Sequence, residues 1–353
     1  MFDADFYKGK KVFVTGHTGF KGTWLCKALV NLGAEVTGYA LAPTEPSLYK
    51  AAELDDEVRS IIGDIRDMEA LSAAFEDTKP EIVFHLAAQP IVRESYASPA
   101  YTYETNVMGT LNILECVRRS SCVTSFLNVT TDKVYLDEGT GKAYVESDPL
   151  DGYDPYSNSK SCSELITHAY ARSFFKDAGV AVSTARAGNV IGGGDFGEDR
   201  IIPDCVRAIS KGEIITVRNP DSVRPYQYVL EAIYAYLMIA AEQYRDANYA
   251  DCYNIGPDEE DCVRTSELVD KFVSIWGDDA KWDVAADGGP HESGLLMLDS
   301  SKLKKTFTWS MHSCVDDALS NAATLYKCML SGGDVRACMD EQIAEFRMHI
   351  TEK

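Results

Sequence analysis

The chain has 353 residues, of which 45% are hydrophobic and 25% are charged. These fractions match those of folded globular proteins and exclude a disordered or fibrous chain. Lys and Arg number 34 against 55 Asp and Glu, and the formal net charge of -21 makes nucleic acid and anionic membrane surfaces poor partners. We expect two domains or one large domain with an appendage, because a single core seldom grows beyond about 250–300 residues.

The sequence shows no targeting segment. No apolar stretch reaches the roughly 20 residues that a membrane-spanning helix needs, and residues 1–10 lack the apolar core of a signal peptide. The ten cysteines are scattered, without a Cys-x-x-Cys pair or a histidine at zinc-binding spacing. We therefore expect a cytoplasmic protein with reduced cysteines and no bound metal.

Short β-branched segments alternate with helical segments in the first half of the chain. This alternation predicts an α/β fold of Rossmann type, with a doubly wound parallel sheet. Six strands are predicted, at Lys11–Thr15, Glu35–Tyr39, Ser60–Gly63, Ile82–Leu86, Ser125–Thr130 and Val182–Ala187. Helices are predicted near Thr23–Leu32, Met68–Phe75, Tyr101–Arg118, Tyr156–Phe175, Leu230–Tyr244 and Ser266–Trp276.

Beyond residue 187 the alternation gives way to segments rich in glycine and proline. This texture predicts a smaller, loop-rich C-terminal domain that binds the substrate. We assign residues 1–187 and 226–252 to the Rossmann domain, and residues 188–225 and 253–353 to the substrate domain.

A glycine-rich turn, GHTGFKG at residues 16–22, follows the first predicted strand and begins the first helix. The backbone N–H groups of such a turn and the helix dipole suit the pyrophosphate of a dinucleotide. The acidic residue that usually holds the ribose of NAD, about 20 positions later, is missing, because the second strand ends TGYAL at residues 37–41. That segment has no Arg or Lys for the phosphate of NADP either, so the choice between the two dinucleotides stays open here.

Asp64 follows the third predicted strand, in the segment GDIRD at residues 63–67. Its carboxylate is placed to accept a hydrogen bond from the adenine amino group of a dinucleotide. Asp is also common at the N-cap of a helix, and a helix is predicted to begin shortly afterwards. Both interpretations remain open at this point.

Two groups of reactive side chains fall where the carboxyl edge of the sheet places a ligand crevice. Tyr156 and Lys160 are one helical turn apart, and a nearby ammonium stabilises a phenolate, so this tyrosine can accept a hydroxyl proton. Thr131, Asp132 and Lys133 follow the fifth strand. A buried charge is costly unless it is used or paired, so this triplet is a candidate catalytic element.

These motifs together resemble the extended short-chain dehydrogenase/reductase superfamily and, within it, the nucleotide-sugar 4,6-dehydratases. The resemblance is carried by GHTGFKG and by further segments, namely HLAAQ at 85–89, TTDKVY at 130–135, YSNSK at 156–160, ARAGNVIGGGD at 185–195, RIIPD at 200–204 and PHES at 290–293. It is strongest to those members that act on CDP-glucose. The chain departs from their usual RPWQHV by having RPYQYV at residues 224–229.

The resemblance implies NAD as the cofactor and the sugar nucleotide CDP-glucose as the substrate. The implied cofactor-binding residues are Gly16, Thr18, Gly19, Phe20, Gly22, Asp64, Ile65, Leu86, Ala87, Ala88, Thr105, Tyr156 and Lys160. The implied substrate-binding residues are Gln89, Asn189, Arg200, Arg218 and Arg224. The family further implies a homodimer, or a dimer of dimers, formed through the helices near Tyr101–Arg118 and Tyr156–Phe175.

The implied reaction is a dehydration in which C4 of the sugar is oxidised, water leaves across C5 and C6, and hydride returns to C6. Tyr156, helped by Lys160 and Thr131, takes the O4 proton, and Asp132 protonates the leaving C6 hydroxyl. Lys133 stands where dTDP-glucose dehydratases have Glu, so it either removes the C5 proton or stabilises the enolate. The alternatives are a nucleotide-sugar 4-epimerase, a dehydratase of another sugar nucleotide, and a non-catalytic NAD-binding regulator.

Overall fold

The computed structural model describes residues 2–137, 139, 141–258, 261–277, 280–284 and 296–351. The strands in these ranges are β1 (Lys11–Thr15), β2 (Glu35–Ala40), β3 (Arg59–Ile62), β4 (Ile82–His85), β5 (Ser125–Val129), β6 (Ala181–Ala187), β7 (Val190–Ile191), β8 (Ile215–Val217), β9 (Val223–Pro225), β10 (Gln227–Tyr228), β11 (Cys252–Ile255), β12 (Cys262–Arg264) and β13 (Trp282–Val284). The segment PHES at residues 290–293, quoted above for the resemblance, lies outside the described residues.

The α-helices are α1 (Phe20–Asn31), α2 (Leu48–Ala51), α3 (Met68–Thr78), α4 (Val92–Ala97), α5 (Pro99–Tyr103), α6 (Gly109–Arg119), α7 (Pro155–Tyr170), α8 (Lys176–Ala178), α9 (Ile201–Ser210), α10 (Val229–Arg245), α11 (Thr265–Trp276), α12 (Ser301–Phe307), α13 (Val315–Leu330) and α14 (Val335–Thr351). Short 3₁₀ helices span Leu54–Asp56, Asp132–Val134 and Ala247–Tyr249. Turns of π-helix at Glu104–Met108 and Ala171–Phe175 join α5 to α6 and α7 to α8. None of the described helices is both long and apolar enough to cross a membrane.

The central sheet has seven parallel strands in the order β11-β6-β5-β4-β1-β2-β3. The predicted doubly wound Rossmann sheet is therefore confirmed, and the six predicted strands match β1 to β6 to within one or two residues. The strand order reverses between β1 and β4. In such sheets this point leaves a crevice at the carboxyl ends of the strands, where ligands bind.

Helices cover both faces of the sheet. Two separate apolar clusters result: the larger is built mainly with α1, α10, α11 and α13, and the smaller with α3 and α6. The central strands β4 and β5 are buried along their whole length, as expected for a parallel sheet covered on both faces.

The C-terminal half does not separate cleanly from the sheet. β11 begins at the predicted domain boundary of residue 252 and adds a seventh strand that the sequence analysis missed. α14 packs against α1, where the Lys27 ammonium lies 3.1 Å from the Asp340 carboxylate and Asn31 donates to the same group. The division into two domains stays a prediction, and these contacts mark where it needs testing.

Candidate active site

Two cavities open at the carboxyl edge of the sheet. The glycine-turn cavity, of about 440 Å³, lies between residues 16–22 and the segment 86–88 that follows β4. The arginine cavity, of about 770 Å³, lies between residues 130–133 and the loops that carry Arg200, Arg218 and Arg224. The residues that line both are Phe20, Lys21, Pro90, Ile91, Thr130, Tyr156, Asp195 and Arg200.

The glycine turn brings backbone, rather than side chains, to the first cavity. Gly16 has a φ of +77°, and a Cβ there would lie 2.8 Å from the backbone nitrogen of Ala87. A Cβ on Gly22 would lie 2.1 Å from the Gly16 carbonyl oxygen, so α1 approaches the turn as closely as glycine allows. No side chain caps α1 at Gly19, which leaves the first N–H groups of the helix available to an anion.

Hydrogen bonds hold the opposite wall of this cavity in place. The Thr15 hydroxyl accepts from the backbone N–H groups of Leu86 and Ala87, each at 3.1 Å. His85 hydrogen-bonds Thr15 at 2.7 Å and Thr110 at 3.0 Å. Burial lowers the pKa of His85 to about 3, so its ring is neutral and acts as a fixed connector between these hydroxyls.

One end of the cavity is lined by Asp64, Ile65 and Thr44. Asp64 accepts hydrogen bonds from the Arg66 guanidinium, which hold the pKa of the carboxyl below its ordinary value. The N-cap of α3 is Asp67, not Asp64, so the capping interpretation of Asp64 is wrong.

Hydroxyl groups occupy the region where an acidic residue was missing from the sequence pattern. Thr18, Thr44 and Ser47 line the cavity beside Leu41, and the Thr18 hydroxyl donates to the Leu41 carbonyl at 3.0 Å. Among the described residues that line this end of the cavity, Asp64 alone carries a carboxylate.

The glycine-turn cavity fits a dinucleotide. The buried Thr105 hydroxyl lines it and has no hydrogen-bond partner among the described residues, and it lies in the π-helical turn between α5 and α6. Such turns occur frequently at functional sites. The described residues contain no group of three or more His, Cys, Asp or Glu side chains arranged to hold a metal.

All thirteen predicted cofactor-binding residues line this one cavity. They are Gly16, Thr18, Gly19, Phe20, Gly22, Asp64, Ile65, Leu86, Ala87, Ala88, Thr105, Tyr156 and Lys160.

Tyr156 and Lys160 lie on the buried face of α7, which begins where Asp154 caps the backbone N–H of Ser157 at 3.0 Å. The Lys160 ammonium donates to the Val129 carbonyl at the end of β5, at 3.1 Å. Burial and the nearby Lys21 lower the pKa of Lys160 to about 7. Burial raises the pKa of Tyr156 to about 12, and the lowering predicted from the tyrosine–lysine spacing is not seen; the groups that act to lower this pKa are Thr131 and Arg200.

Thr131 stands between the tyrosine and the acid. Its hydroxyl donates to Asp132 Oδ1 at 2.9 Å, and its hydrogen bond with Tyr156 acts to lower the pKa of that phenol. Asp132 is only 2% exposed, and its Oδ2 has no hydrogen-bond partner among the described residues. Lys133 is half-buried and lines the arginine cavity together with Thr131 and Asp132.

The three predicted substrate-binding arginines line the arginine cavity, and their guanidinium groups contact different partners. Arg200 pairs with Asp195, with nitrogen–oxygen distances of 2.7 and 2.9 Å. Arg218 pairs with Asp199. Arg224 is buried, and its guanidinium donates to the carbonyl of Val223 at 2.9 Å.

The other two predicted substrate-binding residues, Asn189 and Gln89, differ in whether they line the cavity. Asn189 also lines this cavity. Gln89 lines neither cavity. Its side-chain amide donates to the Thr102 hydroxyl at 2.9 Å and to the Ile91 carbonyl at 3.1 Å. The structure therefore gives Gln89 a part in shaping the turn after β4, and its contact with the substrate stays a prediction.

Two cationic residues of the cavities were missed. Lys21 lines both cavities, and burial together with the charge of Arg200 lowers its pKa to about 8. Arg93 lines the arginine cavity, with its Nε 3.7 Å from Asp199. Lys21 is part of GHTGFKG, but this motif indicates binding through backbone N–H groups and does not by itself predict a role for the lysine side chain.

Comparison with known proteins gives one family and several relatives. The family model described as the NAD-dependent epimerase/dehydratase family matches residues 12–256. The CDP-glucose 4,6-dehydratase of Salmonella typhimurium is 44% identical over 353 residues, which cover 98% of each chain.

Solved structures share the fold at lower sequence identity. The dTDP-glucose 4,6-dehydratase of Bacillus anthracis, in complex with NAD, superposes with a TM-score of 0.76 at 21% identity, covering 90% of this chain and 97% of that one. The UDP-glucose 4-epimerase of Thermotoga maritima, with UDP-glucose, gives a TM-score of 0.79 at 23% identity, covering 90% and 99%.

Proposed function

This chain belongs to the NAD-dependent epimerase/dehydratase family, and from that premise we propose that it converts CDP-glucose to CDP-4-keto-6-deoxyglucose and water. The observation that carries the proposal is Asp132, a buried carboxyl with one unpartnered oxygen, next to the hydroxyl that hydrogen-bonds Tyr156. An epimerase needs the tyrosine but has no use for an acid at this position. The Salmonella relative, at 44% identity, supports the dehydratase over the epimerase.

The glycine-turn cavity is the cofactor site. The uncapped start of α1 holds the pyrophosphate, Asp64 the adenine, and Tyr156 and Lys160 the ribose next to the nicotinamide. A bound NAD would supply the hydride acceptor for C4 and the hydride donor for C6, and would be unchanged after each turnover.

The side chains of this chain handle the protons. Tyr156 takes the proton of the O4 hydroxyl, with Thr131 stabilising the phenolate by its hydrogen bond. Asp132 then protonates the C6 hydroxyl through the oxygen that has no partner. Lys133 lines the same cavity and removes the C5 proton, a role we favour over stabilisation of the enolate.

The arginine cavity holds the sugar nucleotide. The substrate pyrophosphate carries two negative charges, and guanidinium groups bind such oxygens in pairs. Arg224 is the most deeply buried of the three, and its guanidinium also donates to the Val223 carbonyl at 2.9 Å. Arg200 and Arg218 reach the substrate from their pairs with Asp195 and Asp199.

We propose in addition that two copies of this chain form a homodimer through α6 and α7 with the π-helical turns next to them. Met108 and Leu165 are about half exposed, at 48% and 52%, although both are large apolar side chains on these helices. A second copy of the same surface would remove both from water.

The proposal is tested by incubating the purified protein with CDP-, dTDP-, GDP- and UDP-glucose in turn. We expect CDP-glucose alone to give efficiently the ultraviolet absorbance that a 4-keto sugar shows in alkali. A product with inverted C4 and no loss of water would support the epimerase, and no turnover would support the regulator. Asp132→Asn is the matched variant: it keeps the shape of the carboxyl, and we expect reduced cofactor to accumulate without 6-deoxy product.

A further inference from the structure

The proposed acid and the proposed base lie together on one short element. Asp132 and Lys133 are the first two residues of the 3₁₀ turn Asp132–Val134, which follows β5. The Thr131 hydroxyl accepts from the Lys133 backbone N–H at a long distance of 3.4 Å. A 3₁₀ turn has poorer hydrogen-bond geometry than an α-helix and holds its shape weakly by itself. The position of this turn relative to Tyr156 on α7 therefore depends on contacts from outside the turn.

A serine on α7 contacts the turn directly. Ser161 follows Lys160 in sequence, and its hydroxyl donates to the Val134 carbonyl at 2.7 Å. The same oxygen accepts from the Gly152 backbone N–H at 3.0 Å, and the Ser157 carbonyl lies 3.1 Å from it. Ser161 is 2% exposed and lines neither cavity, so its hydroxyl acts on the turn and not on a bound ligand.

A chain of buried side chains makes a second connection between α7 and the turn. Tyr135 follows the turn, and its hydroxyl accepts from Arg186 Nη1 at 2.8 Å and donates to Asn254 Oδ1 at 2.6 Å. The Arg186 guanidinium also donates to Glu164 on α7, at 3.0 and 2.9 Å. All four side chains are buried, and an unpaired polar group in such surroundings is costly, so these hydrogen bonds resist displacement.

The Tyr135 hydroxyl has a structural part in this chain and not a reactive one. Its ring lines the arginine cavity and stacks on Tyr144, with the ring centroids 4.8 Å apart and an angle of 3° between the planes. The hydroxyl is directed to Arg186 and Asn254. Burial raises the pKa of Tyr135, so the phenol keeps its proton at neutral pH. A phenylalanine at this position retains the ring and removes only the hydrogen bonds.

We propose that Ser161 and Tyr135 are positioning residues, which hold the Asp132–Val134 turn against α7 so that the acid and the base meet the sugar once C4 is oxidised. The inference rests on the proposed dehydratase function. It concerns the elimination of water and not the oxidation, because Tyr156 belongs to α7 itself. The two contacts act instead on Val134 and Tyr135, which directly follow the acid and the base in sequence.

The test separates the two steps in Ser161→Ala and Tyr135→Phe. In a single turnover with CDP-glucose, the appearance of reduced cofactor measures the oxidation of C4, and its disappearance with formation of 6-deoxy product measures elimination and hydride return. We expect oxidation to stay within about twofold of the native rate and elimination to slow about 10-fold, because a small displacement of catalytic groups is costly to the step that uses them. Reduced cofactor then accumulates in both variants.

Two buried side chains that line neither cavity provide matched controls. Tyr7 is fully buried, and its hydroxyl donates to the Leu237 carbonyl at 2.6 Å. Ser125 is also fully buried, and its hydroxyl donates to the Ala240 carbonyl at 2.9 Å and accepts from the Gln243 amide at 2.8 Å. We expect Tyr7→Phe and Ser125→Ala to lower the melting temperature and to keep the native ratio of the two rates.

A native ratio in Ser161→Ala or Tyr135→Phe would overturn the proposal, including the case in which both rates fall together, as they would if these side chains only stabilised the fold. If Tyr135→Phe does not fold, Ser161→Ala decides. Absence of 4-keto-6-deoxy product from the native protein would instead contradict the proposed function. Amide hydrogen exchange over residues 131–136 then tests the positioning alone, since we expect it to be faster in Ser161→Ala than in the native protein, and equal exchange would overturn the positioning.

Discussion

Burial acts in opposite directions on the two reactive groups of α7. It raises the pKa of Tyr156 to about 12 and lowers that of Lys160 to about 7, because each is held in the neutral form that a poorly solvated site prefers. Burial therefore disfavours both the phenolate form of Tyr156 and the ammonium form of Lys160 in the free chain. The interaction with Thr131 and the charge of Arg200 work against the effect of burial on the pKa of Tyr156.

We expect Tyr156→Phe to lower the rate of C4 oxidation about 10²–10⁴-fold with the fold intact, because the O4 proton loses its acceptor. The reduced cofactor formed in a single turnover measures this step, and circular dichroism checks the fold. Tyr96, which is 44% exposed and lines neither cavity, provides the control in Tyr96→Phe, and this variant is expected to keep the native rate of cofactor reduction. Rapid reduction of the cofactor by Tyr156→Phe would remove the tyrosine from the mechanism.

Lys21 is the residue-level feature with the most direct consequence for pH dependence. Its charge is a cause of the low pKa of Lys160, so Lys21→Met raises the pKa of Lys160 from about 7 toward its ordinary value. The Lys160 ammonium then persists to higher pH. We expect the pH at which NAD affinity begins to fall to move upward in this variant, measured by calorimetric titration at several pH values.

Lys21→Arg is the matched control, since it keeps the positive charge and leaves the transition near its native pH. Identical transitions in Lys21→Met and the native protein would show that the two amines do not interact.

At the scale of elements, a buried ion pair ties α7 to the sheet. Glu164 lies one turn beyond Lys160, and the Arg186 guanidinium on β6 donates to its two oxygens at 3.0 and 2.9 Å. Thr184 also donates to Glu164, at 2.7 Å, and Thr130 hydrogen-bonds the same carboxylate from the end of β5. The helix that carries Tyr156 is thereby fixed to both strands whose ends form the site.

We expect Glu164→Gln to lower the free energy of unfolding by about 3–5 kcal/mol near pH 7, because the Arg186 charge is left buried and unpaired. The pKa of Glu164 is lowered to about 2, so its stabilising effect is present above the ordinary value of about 4.5 and is lost as the pH falls toward 2. The difference between variant and native protein in urea denaturation is therefore expected to shrink over that range. Glu115→Gln, at a partly exposed pair with Arg118, is expected to cost about 1 kcal/mol or less.

The elements also show how far the sequence could predict this protein. β1 to β6 were predicted because short apolar segments alternate with helical segments in the first half of the chain. β11 was missed because Cys252, Tyr253 and Asn254 are not β-branched and the strand lies among loops, so only its pairing with β6 identifies it. In the site, resemblance to a family gave segments that line the two cavities but not the direction of each side chain, since Gln89 lines neither cavity.

At the scale of the whole molecule, charge and apolar surface are distributed unevenly. The net charge is -21, yet the cationic groups Lys21, Arg93, Arg200, Arg218 and Arg224 gather around one cavity. The carboxylates of Asp195 and Asp199 pair with Arg200 and Arg218 in the same cavity, so an anionic substrate competes with these carboxylates for the guanidinium groups.

The exposed apolar residues Met108 and Leu165 belong to the helices that carry part of the site, which makes the assembly of the molecule testable at the same surface. We expect light scattering of the native protein to give twice the 38.9 kDa mass of one chain, and Leu165→Asp to give the mass of one chain, because a like-charged pair replaces an apolar contact across the two-fold axis. Leu330→Asp is the control: Leu330 is similarly exposed, at 58%, but lies at the end of α13, so this variant keeps the native mass. A native protein of one-chain mass, or loss of the dimer in Leu330→Asp alone, would exclude the proposed interface.

Because α7 carries Tyr156 and Lys160 on its buried face and Leu165 on its exposed face, we also expect the monomeric variant to hold NAD less tightly, and titration of the cofactor into both variants measures this.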